Sequence, residues 1–471
     1  MSSKVRTFAR DASIAVASQV VSLFSGLVLS FLLPKFISVA NYGYWQLFIL
    51  YTGYVGILHF GFNDGLYLRL GGKAFESLDR SRLYPAMSIL LLQQVVLSGI
   101  LLCIGLLIED NPVKRILFIL LSVYIVIDNT YKLMSFVLMA TGKVKYYSKT
   151  VIYDKMILLA CVLALLCFKA DAHVGFFVGA FVLAHTIVFI FTSTQFPDYL
   201  SIGLKNLREG WCTYLDCVKV GVVLLFSNLC STFIVGSGRF VIEDFWDIEM
   251  FARVSLALTL SAFLLFFISQ ISYVLFPYLR NMSEQSQAFV LEKGTFLLTV
   301  CAVACFSMFF LLYHVVKLWL PQYEESLPFL IVLSPLSFYD IKTNLLYNTF
   351  LKNLNKVKVL FAVNVGTLIV ANLIYLFGAY AGNIYVIVGG MMFAVIFKSI
   401  VMQRILFGYY SIRPDKSTYM ELVIVPILIG SFFVWGIWTS FVCYLVFASI
   451  FMLLNWGKTK ATLLAMKKIR G

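Results

Sequence analysis

Charge is what this chain has least of. Only 13% of its 471 residues are Asp, Glu, Lys or Arg, against 61% that are hydrophobic. A chain of that balance cannot clothe itself in a water-facing surface, which excludes a soluble domain and makes lipid its solvent. Long polar loops are missing as well: the longest connections between apolar runs are 63–83 and 193–214. Paired carboxylates, a nucleotide-binding loop and a His cluster are all absent from the water-facing segments, and the four His (His59, His173, His185, His314) are scattered. That argues against an enzyme and against transport driven by the chain's own ATP hydrolysis. The drive is left to an ion gradient, the membrane potential or consumption of product. No Cys-x-x-Cys occurs among the nine cysteines, most of which (such as Cys103, Cys161, Cys230 and Cys301) lie in apolar runs. There cysteine is a small, soft core residue, so no disulfide, metal or cofactor is expected.

What is present is a succession of fourteen apolar runs, near 12–33, 42–62, 84–108, 116–140, 148–168, 173–192, 215–237, 248–279, 294–320, 326–350, 357–380, 383–407, 418–437 and 439–456. A helix needs ~20 apolar residues to cross a bilayer core. The runs are apolar on every face, unlike the alternating strands of a barrel, and only helices satisfy their own backbone within one such segment. The expected fold is therefore an all-α polytopic membrane protein of about fourteen spans. The run 248–279 is long enough to tilt or to extend past the interface, and the last two abut at Thr439. The first run follows a basic flank (Lys4, Arg6, Arg10) but exceeds a signal-peptide core of ~7–15 residues, so it reads as a retained helix.

The net charge of +14 is placed rather than spread. With loops numbered alternately from an inside N-terminus, inside segments hold 25 Lys and Arg and outside segments hold 6 (Lys35, Lys114, Arg115, Lys169, Arg239, Lys317). This is an insertion signal of the positive-inside kind, not a nucleic-acid surface, and it puts both termini in the cytoplasm.

Six runs precede the polar stretch containing Gln195, Pro197, Asp198, Gly203, Asn206 and Gly210. The expected organisation is a six-helix lobe over 1–200, a linker over 201–214, a second six-helix lobe over 215–410, and a helix pair with a basic tail over 411–471. A weak echo supports two halves: Lys35-Phe36-Ile37 after the first run and Arg239-Phe240-Val241 after the seventh, each followed by acidic or amide residues, an aromatic and a new span. Transporters are commonly built from such duplicated bundles.

The segment FISVANYGYWQLFILYTGYVGILHFGFNDGLYLRLGGK (36–73) resembles the N-terminal signature of Wzx-type polysaccharide-repeat flippases, of the multidrug/oligosaccharidyl-lipid/polysaccharide exporter superfamily. The stretch 251–281 is similar to that family's eighth helix, which commonly ends in a Pro near the inner face, here Pro277. The resemblance implies a MATE-like, V-shaped transporter of two lobes in a bacterial inner membrane. It implies movement of an undecaprenyl-diphosphate-linked oligosaccharide to the outer leaflet, alongside a polysaccharide polymerase and a chain-length regulator. Lipid II flippases share this architecture and are set apart only by the 36–73 segment. A drug antiporter of the superfamily would be expected to carry a coupling acid in its first helix, and Ala12–Leu33 has none.

Charge inside the hydrocarbon costs ~2.5–3.5 kcal/mol per residue on insertion scales, so each case needs a reason. Asp128 and Lys132, four apart with the acid first, share a helix face. They are either a self-neutralised pair or a cavity-facing Lys132 held in place by Asp128 and attracting a diphosphate. Asp154 and Lys155 point about 100° apart and need not pair; Lys155 either lines the cavity or snorkels to the interface. Asn228 lies near mid-membrane on the seventh helix. Asp340 shares a face with Asn344 on the tenth while Lys342 points elsewhere, and the twelfth carries Lys398. Lys132, Lys155, Lys342 and Lys398, with Asn228, are thus the candidate binding residues, and Asp128, Asp154 and Asp340 the structural or coupling acids. Asn63 and Asp64 form either a helix cap or an inner gate. Arg239 and Arg253 form either an exit rim or pairs with Glu243, Asp244, Asp247 and Glu249. The last two helices carry no formal charge in their cores and offer an apolar groove to a polyprenyl tail, or simply pack on the lobe. Pro85, Pro277, Pro328 and Pro335 stand where helices bend.

Overall fold

A computed structural model of the chain describes residues 3–71, 73–168, 173–262, 279, 282–414 and 420–468. Pro277 and Arg280 lie outside the described residues, as does most of the second half of the run 248–279. Every regular element among the described residues is helical. Cα packing divides the chain into two compact units, 1–229 and 230–471.

The first unit contains α1 (Ser3–Phe36), α2 (Val39–Thr52), a 3₁₀ turn (Val55–His59), α3 (Phe62–Leu70), α4 (Arg80–Leu107), α5 (Pro112–Ala140), α6 (Val144–Phe168), α7 (Val174–Ser193), α8 (Tyr199–Lys205) and the start of α9 (Leu207–Phe245). Helix starts follow capping chemistry. Ser38, Asp79 and Asn111 accept the first free amides of α2, α4 and α5, and Pro112 takes the first helical position of α5, where no N–H is needed. Helix α5 packs against α3, α4 and α7, while α1 lies on α6. The stretch 201–214 is largely helical, formed by the end of α8 and the start of α9.

Two features set the interior of this unit. The chain unwinds between α2 and α3, with Phe60 and Gly61 at φ of 50° and 87°. The carbonyls freed there are met by side-chain amides: Gln93 and Gln94 donate to Leu58 O at 2.6 and 2.8 Å, and Asn129 donates to Val55 O at 3.1 Å and to Gln94 Oε1 at 2.8 Å. Beyond the break, Gly61 and Gly65 of one segment meet Cys217 and Gly221 of α9 backbone to backbone. A methyl added at Gly65 would lie 1.9 Å from Cys217 O, and one at Gly221 would lie 1.9 Å from Gly61 O. Small residues four apart on both sides are what lets two membrane helices approach this closely. Phe62 stacks on Tyr214 beside the crossing, within an apolar cluster that includes Leu66, Met87, Leu133 and Phe196.

The second unit holds the rest of α9, α10 (Ile248–Ser261), α11 (Glu284–Cys305), α12 (Ser307–Trp319), a 3₁₀ turn (Pro321–Ser326), α13 (Leu327–Leu333), α14 (Leu336–Ile341), a π-helical turn (Lys342–Tyr347), α15 (Asn348–Asn353), α16 (Val357–Tyr380), α17 (Ile384–Tyr409) and α18 (Glu421–Lys468). Its core joins Leu291, Leu346, Tyr347, Phe350, Met402 and Leu406. Helix α16 packs along α17, and α18 lies on α11, where Tyr444 donates to Val303 O.

Ten helices among the described residues are long and apolar enough to span a membrane. The count reaches eleven if the pair Pro321–Leu333 and Leu336–Asn353, bent by 46°, is one span. The expectation of about fourteen counted apolar runs, and a run does not guarantee a continuous helix. The run 42–62 is split by the turn between α2 and α3, and 248–279 is only partly described. The runs 418–437 and 439–456 fall on α18, broken at Gly436 (φ 80°, ψ −179°). The bend in 326–350 coincides with Pro335, which has no N–H to continue the ladder.

The glycine crossing predicts a sharp contrast. Gly65→Leu drives a side chain into the α9 backbone and should abolish recovery of monodisperse protein, whereas Gly99→Ala, where nothing lies within 4 Å, should be neutral or stabilising by ~0.5–1 kcal/mol. Size-exclusion profiles and thermal unfolding in detergent read both. Asn129→Leu strands Val55 O and Gln94 Oε1, costing ~1–3 kcal/mol for each group left unsatisfied. Its melting temperature should fall below that of Gln93→Leu, which leaves Leu58 O served by Gln94 and strands only the Tyr214 hydroxyl.

Candidate functional site

Buried charge in the first unit is concentrated on α5, α6 and α7. Lys132 Nζ lies 2.7 Å from Asp128 Oδ2, and Tyr124, one turn earlier, donates its hydroxyl to Asp128 Oδ1 at 3.0 Å. The i, i+4 spacing therefore does produce an ion pair. The partners are unequal in exposure: the Asp128 side chain is 2% exposed and that of Lys132 42%. The acid is buried in the protein while the lysine side chain is half-exposed.

Asp154 of α6 is held twice. Lys155 Nζ reaches its Oδ2 at 2.8 Å, although the two residues are adjacent. The long lysine stem folds back across the ~100° between neighbouring positions, where Cβ directions alone suggested no pairing. From α7, His185 Nδ1 lies 3.3 Å from Asp154 Oδ1 and 3.0 Å from Phe181 O. Both neighbours are acceptors, so Nδ1 carries the proton. Ser25 of α1 donates to Lys155 O at 3.1 Å and ties α1 to this site.

Asn63 is wholly buried and donates to Asn129 O at 3.2 Å. Asp64 sits in the first turn of α3, where the helix dipole favours an acid, with Nε2 of His59 at 3.9 Å from its Oδ2. Asn228 lies on an exposed position of α9.

In the second unit the lysines are deep. Lys342 is wholly buried at the start of the π-helical turn; it donates to Thr299 Oγ1 at 2.8 Å and stands 4.8 Å over the Phe338 ring. An aromatic face and a hydroxyl both favour an ammonium held at such depth. Lys398 of α17 is 3% exposed and donates to Ser231 Oγ at 2.6 Å. Asp340 of α14 interacts with it electrostatically. Arg239 donates to Ser255 at 3.0 Å and lies over the Phe251 ring. Arg253 pairs with Glu249 at 3.5 Å and with Glu325 at 3.1 Å. Glu325 is a partner that counting along the neighbouring loop did not offer.

The structure thus joins Asp128 to Lys132, Asp154 to Lys155, and Asp340 to the field of Lys398, and it keeps Lys342 on Thr299. Sequence reasoning missed Tyr124, His59 and His185. Tyr124 was within reach of it, one turn from Asp128 on the same face. The histidines were not, because His185 meets Asp154 only through the packing of α7 on α6. Among the described residues no group of three His, Cys, Asp or Glu is placed to hold a metal ion.

No protein-family model matches the chain, and no curated protein sequence matches it. Solved structures do. One, described as the lipid II flippase MurJ in an inward closed conformation, superposes with a TM-score of 0.62 at 13% identity, covering 94% of this chain and 99% of that one. Another, an inward-facing multidrug resistance MATE family transporter of the MOP superfamily, gives 0.61 at 13% identity, covering 85% and 98%. The fold of this multi-pass membrane protein is similar to that of these transporters of the MOP type.

Proposed function

We propose that this chain is a flippase that carries an undecaprenyl-diphosphate-linked oligosaccharide repeat unit from the cytoplasmic to the outer leaflet of a bacterial inner membrane. The product serves a surface polysaccharide such as O-antigen, capsule or exopolysaccharide, and the chain works by alternating access beside a polymerase and a chain-length regulator. The observation that carries the reading is the set of lysines on the apolar helices of a MOP-type fold: half-exposed Lys132 beside Asp128, Lys155 beside Asp154, and the buried Lys342 and Lys398 held by hydroxyls. A cation in a low-dielectric interior is costly to keep and acts at long range, which suits a diphosphate headgroup. In this reading fourteen spans form two six-helix lobes and a final pair. The break at Gly436 divides α18 into that pair, the interrupted 39–70 segment serves as the second span, and the basic loops keep both termini in the cytoplasm.

The lipid II reading is the alternative, favoured by the coverage of the MurJ structure. Loss of the gene distinguishes them. Accumulation of a lipid-linked repeat unit in the inner leaflet with loss of surface polysaccharide supports the proposal, whereas lysis with accumulated lipid II supports the alternative. Unchanged polysaccharide with altered drug tolerance would sink both and favour drug export.

Charge removal tests the lysines. Lys132→Ala should reduce export at least tenfold, and Lys132→Arg should restore most of it. Lys342→Ala and Lys398→Ala should lower export with protein still in the membrane. If all three alanine variants export at the parental rate, the cationic path is wrong.

A further inference from the structure

Within the first unit, one backbone amide of the unwound segment is satisfied by a titratable group. Gly61 N–H donates to Nδ1 of His59 at 3.0 Å, and His59 is 6% exposed. An imidazole nitrogen accepts a hydrogen bond only when it carries no proton. The ring is therefore neutral, with its proton on Nε2, which faces Asp64 Oδ2 at 3.9 Å.

Gly61 is also where the break meets α9. A methyl at Gly61 would lie 2.6 Å from Val222 N, and Gly61 O is the atom nearest to Gly221. The left-handed conformation of Gly61, at φ 87°, thus sets the approach of the Gly61/Gly65 side to the Cys217/Gly221 side. That conformation is braced on its N–H by His59.

We infer that His59 is a proton-binding switch: a second proton, taken from water onto Nδ1, cancels the bond to Gly61 and releases the crossing of α3 with α9. The groups around the ring are defined. Asp64 on α3 stands at 3.9 Å, and Asp128 and Lys132 on α5 act on the ring from further off. Asp128 and Lys132 pair with each other at 2.7 Å. Helix α4 contributes Gln93 and Gln94, which do not titrate, and α2 contains no Asp, Glu, Lys, Arg or His. On α9, Asp216 is held by Arg69 at 3.2 Å, and Lys219 is exposed. A protonated ring would turn toward Asp64 and offer Gly61 a donor where it needs an acceptor. The switch is independent of the cargo.

The test uses Cys217, buried in the crossing, as the one cysteine of the otherwise full chain. Its rate of modification by a small methanethiosulfonate is measured in detergent from pH 8 to pH 4. Thiolate content itself changes with pH, so each rate is divided by that of a His59→Asn protein at the same pH. Asn places an oxygen acceptor two residues before Gly61 and does not titrate. The ratio should be near one at pH 8 and rise about tenfold or more at the acidic end; a flat ratio overturns the switch. Hydrogen exchange of the 61–65 amides in the unaltered protein gives a second reading should the Asn variant not fold. After correction for intrinsic rates, protection should fall with pH while that of α7 holds, and protection retained in 61–65 overturns the inference. Neither measurement reads export, so failure here leaves the proposed cargo untouched.

Discussion

In hydrocarbon a backbone carbonyl without a partner has no water to turn to, and most of this architecture answers that constraint. Continuous helices satisfy it by themselves. The segment between α2 and α3 does not, and three amide side chains on neighbouring helices are committed to repairing it, Gln93, Gln94 and Asn129, while Asn63 of α3 ties back to Asn129 O. None of them is at the surface of a soluble loop; Asn63, Gln94 and Asn129 are wholly buried. An unwound stretch kept at such cost has structural consequences, because it turns the chain at Phe60 and Gly61 and presents the glycine edge on which α9 rests.

Charge is handled by the same logic. Each of these four lysines has a compensating group, but of different kinds: a carboxylate for the half-exposed Lys132 and Lys155, a hydroxyl and a ring beside the buried Lys342, a hydroxyl with a more distant carboxylate for the buried Lys398. A carboxylate partner neutralises the cation within the protein. A hydroxyl satisfies hydrogen-bonding geometry but brings no charge of its own. The lysines of the two units are therefore not equivalent, and a uniform set of cavity cations is too simple a picture of them.

How much of this the sequence shows depends on the range of each interaction. Helix class, membrane location and the pairing of Asp128 with Lys132 follow from patterns within a few residues, and the structure has all three. The break at Phe60–Gly61 sat inside an apolar run whose composition looked continuous, although Gly61 and Gly65 stood in plain view. They read as a helix end because their true partners, Cys217 and Gly221, lie on another helix far along the chain. The same distance hid His185 from Asp154. Lys155 failed in the opposite sense: Cβ directions were right, and the flexible stem overrode them.

These contacts also differ in how readily they can be undone. Separating Asp128 from Lys132 would leave a buried carboxylate with only the Tyr124 hydroxyl beside it. The Gly61–Gly65 crossing with α9 rests on the close approach of backbones and the Phe62–Tyr214 stack, and its one ion pair, Arg69 with Asp216, is exposed, so parting it forfeits mainly dispersion. Conformational change is expected where small residues meet, and the α3–α9 crossing is where the first unit concentrates them around a titratable side chain.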